Sequence, residues 1–127
     1  MISSLVTRVS AAALMLGGLA LLFAPGVILA GLVPGFPATA SWLGQLVGAA
    51  WLGVAALNWS HRSTMLGGIY GRPVVITNFV LYVIGALALL KALQGPGGSH
   101  ALWFFAAPTT VLAIVYGALL FWGPFDL

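Results

Sequence analysis

Residues 74–93 read Val-Val-Ile-Thr-Asn-Phe-Val-Leu-Tyr-Val-Ile-Gly-Ala-Leu-Ala-Leu-Leu-Lys-Ala-Leu. One charge, Lys91, interrupts this apolar run near its end. A helix of that length reaches about 30 Å at 1.5 Å per residue, which matches the hydrocarbon thickness of a bilayer. A membrane barrel strand would be about ten residues long and would alternate apolar with polar positions. This run does neither. In lipid, only a helix satisfies its own backbone hydrogen bonds over such a length. The Val, Ile, Leu and Phe residues favour insertion by roughly 4 to 7 kcal/mol before the polar exceptions are subtracted.

Three further apolar blocks surround it, at 9–30, 41–59 and 101–122. Gly and Pro punctuate the segments between them, as loops require. The whole chain of 127 residues is 62% hydrophobic and 4% charged. A water-soluble domain carries about 25% charged residues, so this composition is that of a membrane protein. The expected fold is all-α, a four-transmembrane-helix bundle forming one domain over 1–127. The first block is the weakest span, because Pro25 interrupts it and 9–24 alone reaches about 24 Å. Either the helix kinks and continues, or it stops and 26–33 lies along the interface. Pro108 in the fourth block predicts a kink, since apolar sequence continues beyond it. Arg8 followed by an apolar run has the pattern of a signal peptide, but no small-x-small cleavage site follows, and a retained helix is expected.

Orientation rests on four positive charges. Four crossings put Arg8, Arg62 and Arg72 on one side and Lys91 near the other. The positive-inside rule then predicts both termini in the cytoplasm, with the chain in a bacterial inner membrane. Trp59, Tyr70, Phe121 and Trp122 would form the inner aromatic belt, and Phe36, Trp42, Trp103 and Phe104 the outer one.

Chemistry is limited by what the sequence lacks. Asp126 is the only side-chain carboxylate, and there is no Cys. Paired carboxylates, a carboxylate-held metal, a thiolate nucleophile and a proton-coupling intramembrane acid are therefore excluded. Four scattered charges make no nucleic-acid footprint. No dinucleotide or phosphate-loop fingerprint is present. His61 and His100 fall on opposite sides of the membrane and cannot share a metal. No enzyme activity, catalytic residue, metal or cofactor is expected.

The second block carries a packing signal. Gly44 and Gly48 form a GxxxG, and helical spacing extends that face through Trp51 and Ala55 to Asn58. Small residues permit close helix approach, and Asn can hydrogen-bond across the contact. In the third block Asn78, Tyr82, Gly85 and Leu89 share a face. Asn58, Asn78 and Tyr116 fall at similar depth, which predicts a polar cluster in the inner third of the bundle. Such a cluster either satisfies itself and fixes the packing, or forms a pocket for a lipid headgroup, quinone or pigment. The loop between the second and third helices, with His61, Arg62, Tyr70 and Arg72, could grip phosphate. Asn58, His61, Arg62, Tyr70, Arg72, Asn78 and Tyr116 are thus the candidate ligand-binding residues. Gly44, Gly48, Trp51 and Gly85 are the candidate packing residues.

Several stretches carry a resemblance: Phe23-Ala24-Pro25, Leu57-Asn58-Trp59, and Gly-Gly-Ile-Tyr-Gly-Arg-Pro at 67–73. On these the chain resembles small uncharacterised bacterial four-helix integral membrane proteins. The resemblance implies architecture alone, because that family has no assigned activity and so supplies no site residues. The expected role is non-enzymatic: a structural or accessory subunit packing against other membrane proteins or itself within the lipid bilayer. The alternative is a small-molecule, lipid or pigment binding membrane protein, or a small transporter.

Overall fold

The computed structural model describes residues 2–64, 71–95 and 100–122. The described residues fold as α1 (Ile2–Phe23), α2 (Pro25–Leu32), α3 (Trp42–Ser60), α4 (Arg72–Gln94) and α5 (Leu102–Phe121). A 3₁₀ turn, Ala38–Ala40, leads into α3. α1, α4, α5 and the run Ala38–Ser60 are each long and apolar enough to cross a membrane. The architecture is an all-α bundle of four such helices, with α2 as a short extra segment.

The first helix differs from the expected 9–30. It begins at Ile2 and is 22 residues long, so it reaches about 33 Å before it breaks. Ser3, Thr7 and Ser10 lie on its buried stripe. The Thr7 hydroxyl donates to the Ser3 carbonyl at 2.9 Å, so the polar group is satisfied within its own helix. Proline then ends the span: Pro25 has no N–H to continue the ladder and opens α2 as a separate helix. Gln45 of α3 donates from Nε2 to the Leu22 carbonyl at 3.3 Å, supplying a partner at this break. Gly35 takes φ +79° in the turn beyond α2, a left-handed conformation that glycine adopts without penalty.

Side chains are distributed inside-out. Leu16, Leu87 and Ile114 are 67%, 65% and 68% exposed. Asn58, Asn78, Thr7 and Ser10 are fully buried. In a bilayer this costs little, because lipid solvates leucine and the buried polar groups bond to one another.

The helices associate as two tight pairs. α1 packs on α3 through glycines. A Cβ built on Gly48 would lie 2.7 Å from the Gly18 carbonyl oxygen, and one on Gly44 would lie 2.9 Å from Leu29 of α2. The GxxxG is therefore consumed inside the chain and offers no free face to a partner. α4 packs on α5 through rings: Tyr82 stacks on Tyr116 with centroids 5.7 Å apart, and Phe79 meets Phe121 edge-on at 5.9 Å. A Cβ on Gly117 would come within 3.1 Å of the Phe79 ring. Gly85 is looser, with 3.4 Å to Thr109.

Candidate functional site

The two pairs meet along a seam, and the seam has two unlike halves. In the half toward Arg8, Arg62 and Arg72, four side chains from three helices close a hydrogen-bonded ring. Asn58 on α3 donates through Nδ2 to Asn78 Oδ1 on α4 at 2.8 Å and to Ser10 Oγ on α1 at 2.9 Å. Asn78 returns a bond from Nδ2 to Asn58 Oδ1 and sends another to the Val74 carbonyl at 2.8 Å. Ser10 donates to Asn78 Oδ1 at 3.3 Å. Ser10 and the Tyr82 hydroxyl also bond to each other, and Tyr82 is the donor once the serine proton is committed to Asn78. Every N–H and O–H of these four side chains then has an acceptor. Such full satisfaction is what makes a buried polar network stabilising in a low-dielectric setting.

One group stands outside this accounting. The Tyr116 hydroxyl is buried and lacks a hydrogen-bond partner, alone in this among the buried side-chain polar atoms of the described residues. Its ring is locked by the stack on Tyr82, and its residue is 0% exposed.

Toward Lys91 the seam opens. A half-enclosed crevice of about 920 Å³ separates α1 and α2 from α4 and α5, with Trp51 of α3 also in its wall. Ligand cavities span about 300–1,000 Å³, so this one lies near the top of that range. From Trp103 to Leu112 along α5 it runs about 14 Å. Leu14, Gly17, Gly85 and Phe105 are among its walls, and Tyr82 links it to the polar half. No charged side chain lines it among the described residues. Thr109, the other hydroxyl in the wall, donates to its own helix at Phe105 O, 2.6 Å away.

Small residues open this space and aromatic ones bound it. Trp51 is half-buried: a Cβ on Gly17 would lie 2.8 Å from its ring, and its ring centroid is 6.1 Å from that of Phe105. Trp51 thus joins the two pairs across the seam, although the GxxxG face on which it was expected is packed on α1 and α2.

The remaining candidates fall at the arginine end. Arg62 donates from its guanidinium to the Trp59 carbonyl at 2.8 Å and stacks on the Trp59 ring at 4.5 Å. His61 directs Nδ1 to the Leu57 carbonyl at 3.0 Å, so its ring caps the end of α3. Arg72 is exposed in the first turn of α4. None of these enters the Asn58–Asn78 network among the described residues. Tyr70 lies outside the described residues. The structure therefore separates two groups that the sequence reading joined: the asparagines are enclosed and mutually paired, while the arginines face outward.

Sequence reasoning missed Ser10 as the third member of the ring. A signal existed: Ser3, Thr7 and Ser10 recur at helical spacing and mark one face of α1. The crevice had no comparable signal, because it depends on which helices pair.

Compared with known proteins, the chain matches no family, no curated protein and no solved structure.

Proposed function

We propose that this integral membrane protein is a non-enzymatic binding protein that holds a neutral, mostly apolar membrane molecule in the crevice of its seam. The class is that of quinones, pigments and other isoprenoid-like compounds. One observation carries the reading: an aromatic-walled space of about 920 Å³ within the hydrocarbon-spanning region, lined by no charge among the described residues. A charged head would be unpaired there and costly to bury, whereas rings and chains would gain contacts with Trp51, Phe105 and Tyr82. Lateral entry from the lipid suits a molecule already dissolved in the bilayer.

The accessory-subunit reading drew on the GxxxG of Gly44 and Gly48, and that face is occupied by α1 and α2. The binding reading needs no partner protein. Placement in a bacterial inner membrane with the arginine end in the cytoplasm accompanies it, on the strength of Arg8, Arg62 and Arg72 against Lys91.

The test is purification in mild detergent from native membranes, followed by native mass spectrometry and an absorption spectrum. A single non-phospholipid species should be retained near one per chain. Ala20→Trp, at an exposed position of the crevice wall, should abolish its retention while the protein stays folded. Retention of bulk phospholipid alone, or an unchanged adduct in Ala20→Trp, would refute the reading. Recovery of a stoichiometric partner protein with an empty crevice would favour the accessory role instead.

A further inference from the structure

A second hollow lies on the outside of the α1–α3 pair, away from the seam. It is a groove of about 470 Å³, lined by Ala12, Met15, Leu52 and Ala56, with Arg8 and Trp59 also in its wall. We infer that it is a site for an anionic phospholipid, with an acyl chain in the groove and the phosphate between Arg8 and Arg62.

Register places the two arginines together in depth. The Asn58–Ser10 bond at 2.9 Å fixes α1 against α3. Arg8 precedes Ser10 by two residues and so lies about 3 Å toward the end of the bundle. Arg62 lies beyond the last turn of α3, in the same direction from Asn58. Both charges therefore lie level with the end of α3, where its apolar run stops and lipid phosphates come within reach. Rotation agrees as well: Ser10 points into the seam and is buried, whereas Arg8, two residues away on the helix, is exposed on the outer surface.

Trp59 organises the head of the groove. It is 52% exposed and forms part of the groove wall. Its ring carries the Arg62 guanidinium at 4.5 Å, and its carbonyl accepts one Arg62 N–H. That double hold orders the guanidinium, and its remaining N–H groups, which meet no acceptor among the described residues, suit the fork geometry that phosphate accepts. A tryptophan at the headgroup level beside two cations and above an alanine-floored groove gives one lipid a complementary surface from phosphate to chain. Charge selects among lipids here: neither arginine has a carboxylate neighbour among the described residues, so a zwitterionic head would bring an unmatched ammonium.

The experiment is native mass spectrometry of the detergent-purified protein exchanged into an equimolar mixture of phosphatidylglycerol and phosphatidylcholine. Each arginine near the membrane surface contributes roughly fivefold in preference. The first bound lipid should therefore be phosphatidylglycerol by roughly 25-fold. Arg8→Gln and Arg62→Gln should each lower that preference by roughly fivefold, and the double variant should bring it near parity. Ala12→Trp should remove the preferred adduct by filling the groove. Arg72→Gln, at the same end but outside the groove, should leave the preference intact. Arg8→Lys should retain most of it, which separates lost charge from lost folding. Parity in the wild type, or an equal loss in Arg72→Gln and Arg8→Gln, would overturn the inference in favour of diffuse surface charge.

Discussion

The arginine half and the lysine half of the seam lie between the same two helix pairs, yet one is closed and the other open. Asn58, Asn78, Ser10 and Tyr82 close the first with bonds that leave no donor unused. The second is walled by leucine, glycine and aromatic residues and leaves about 920 Å³ between the pairs. The lesson concerns what holds helices together in lipid. Apolar side chains gain little by leaving lipid for protein, so they do not draw helices shut by themselves. Close glycine contacts do so within the α1–α3 pair, and ring stacking does so within α4–α5. Between the pairs the polar ring serves at one end, with the Trp51–Phe105 contact farther along the seam.

The contrast can be broken most severely at Asn78. Asn78→Leu removes the return bond to Asn58, two acceptor contacts and the bond to Val74, and leaves Asn58 Oδ1 and one Asn58 N–H unpaired in a buried site while the bond to Ser10 remains. The expected loss is about 3 kcal/mol, since such bonds average about 0.6 kcal/mol each in membrane proteins and an orphaned group adds at least about 1 kcal/mol. Thermal unfolding in detergent should register it as a lowered midpoint. An unchanged midpoint would mean that the polar ring does not hold the pairs together.

Ser10→Ala probes the same ring more gently. Asn58 keeps its bond to Asn78 but loses its second acceptor, and Tyr82 loses its hydroxyl partner. About 1 kcal/mol should be lost. Combined with Asn78→Leu, the two losses should be markedly less than additive, because both variants break the Ser10–Asn78 bond.

Tyr116→Phe has the smallest expected effect and the opposite sign. Its hydroxyl is buried without a partner, so deleting it removes an unsatisfied group while keeping the stack on Tyr82. Stability should be unchanged or raised by up to about 1 kcal/mol. A clear loss would reveal a partner at that hydroxyl, the neighbouring Ser10 or a bound water or ligand atom, and would extend the polar half of the seam by one member.

Much of this was legible residue by residue. Continuous apolar runs about as long as a bilayer is thick left no alternative to spanning helices. Counting depth from the helix ends put Asn58 and Asn78 at one level, where they bond to each other, whereas Tyr116, expected in the same cluster, stays outside their network. The GxxxG announced a close helix contact. Ser10 was harder, because a lone hydroxyl in a helix can satisfy itself on its own backbone, as Thr7 does. Its bonding to Asn58 requires knowing that α1 lies against α3. The early start of α1 was hidden for a related reason: serine and threonine near the N-terminus look like loop until the Thr7 hydroxyl is seen bonding back into the helix.

Sequence alone determined that the chain lives in lipid, because its charge is too scarce to face water and its backbone can be satisfied there only as helix. It also determined which side chains cannot do chemistry, by omitting acids and thiols from the spans. Tertiary structure decided the pairing of α1 with α3 and α4 with α5, and with it the crevice. Helix pairing in a membrane depends on close approach at particular glycines and on hydrogen bonds between residues far apart in the chain. Those quantities exist only once the helices stand side by side.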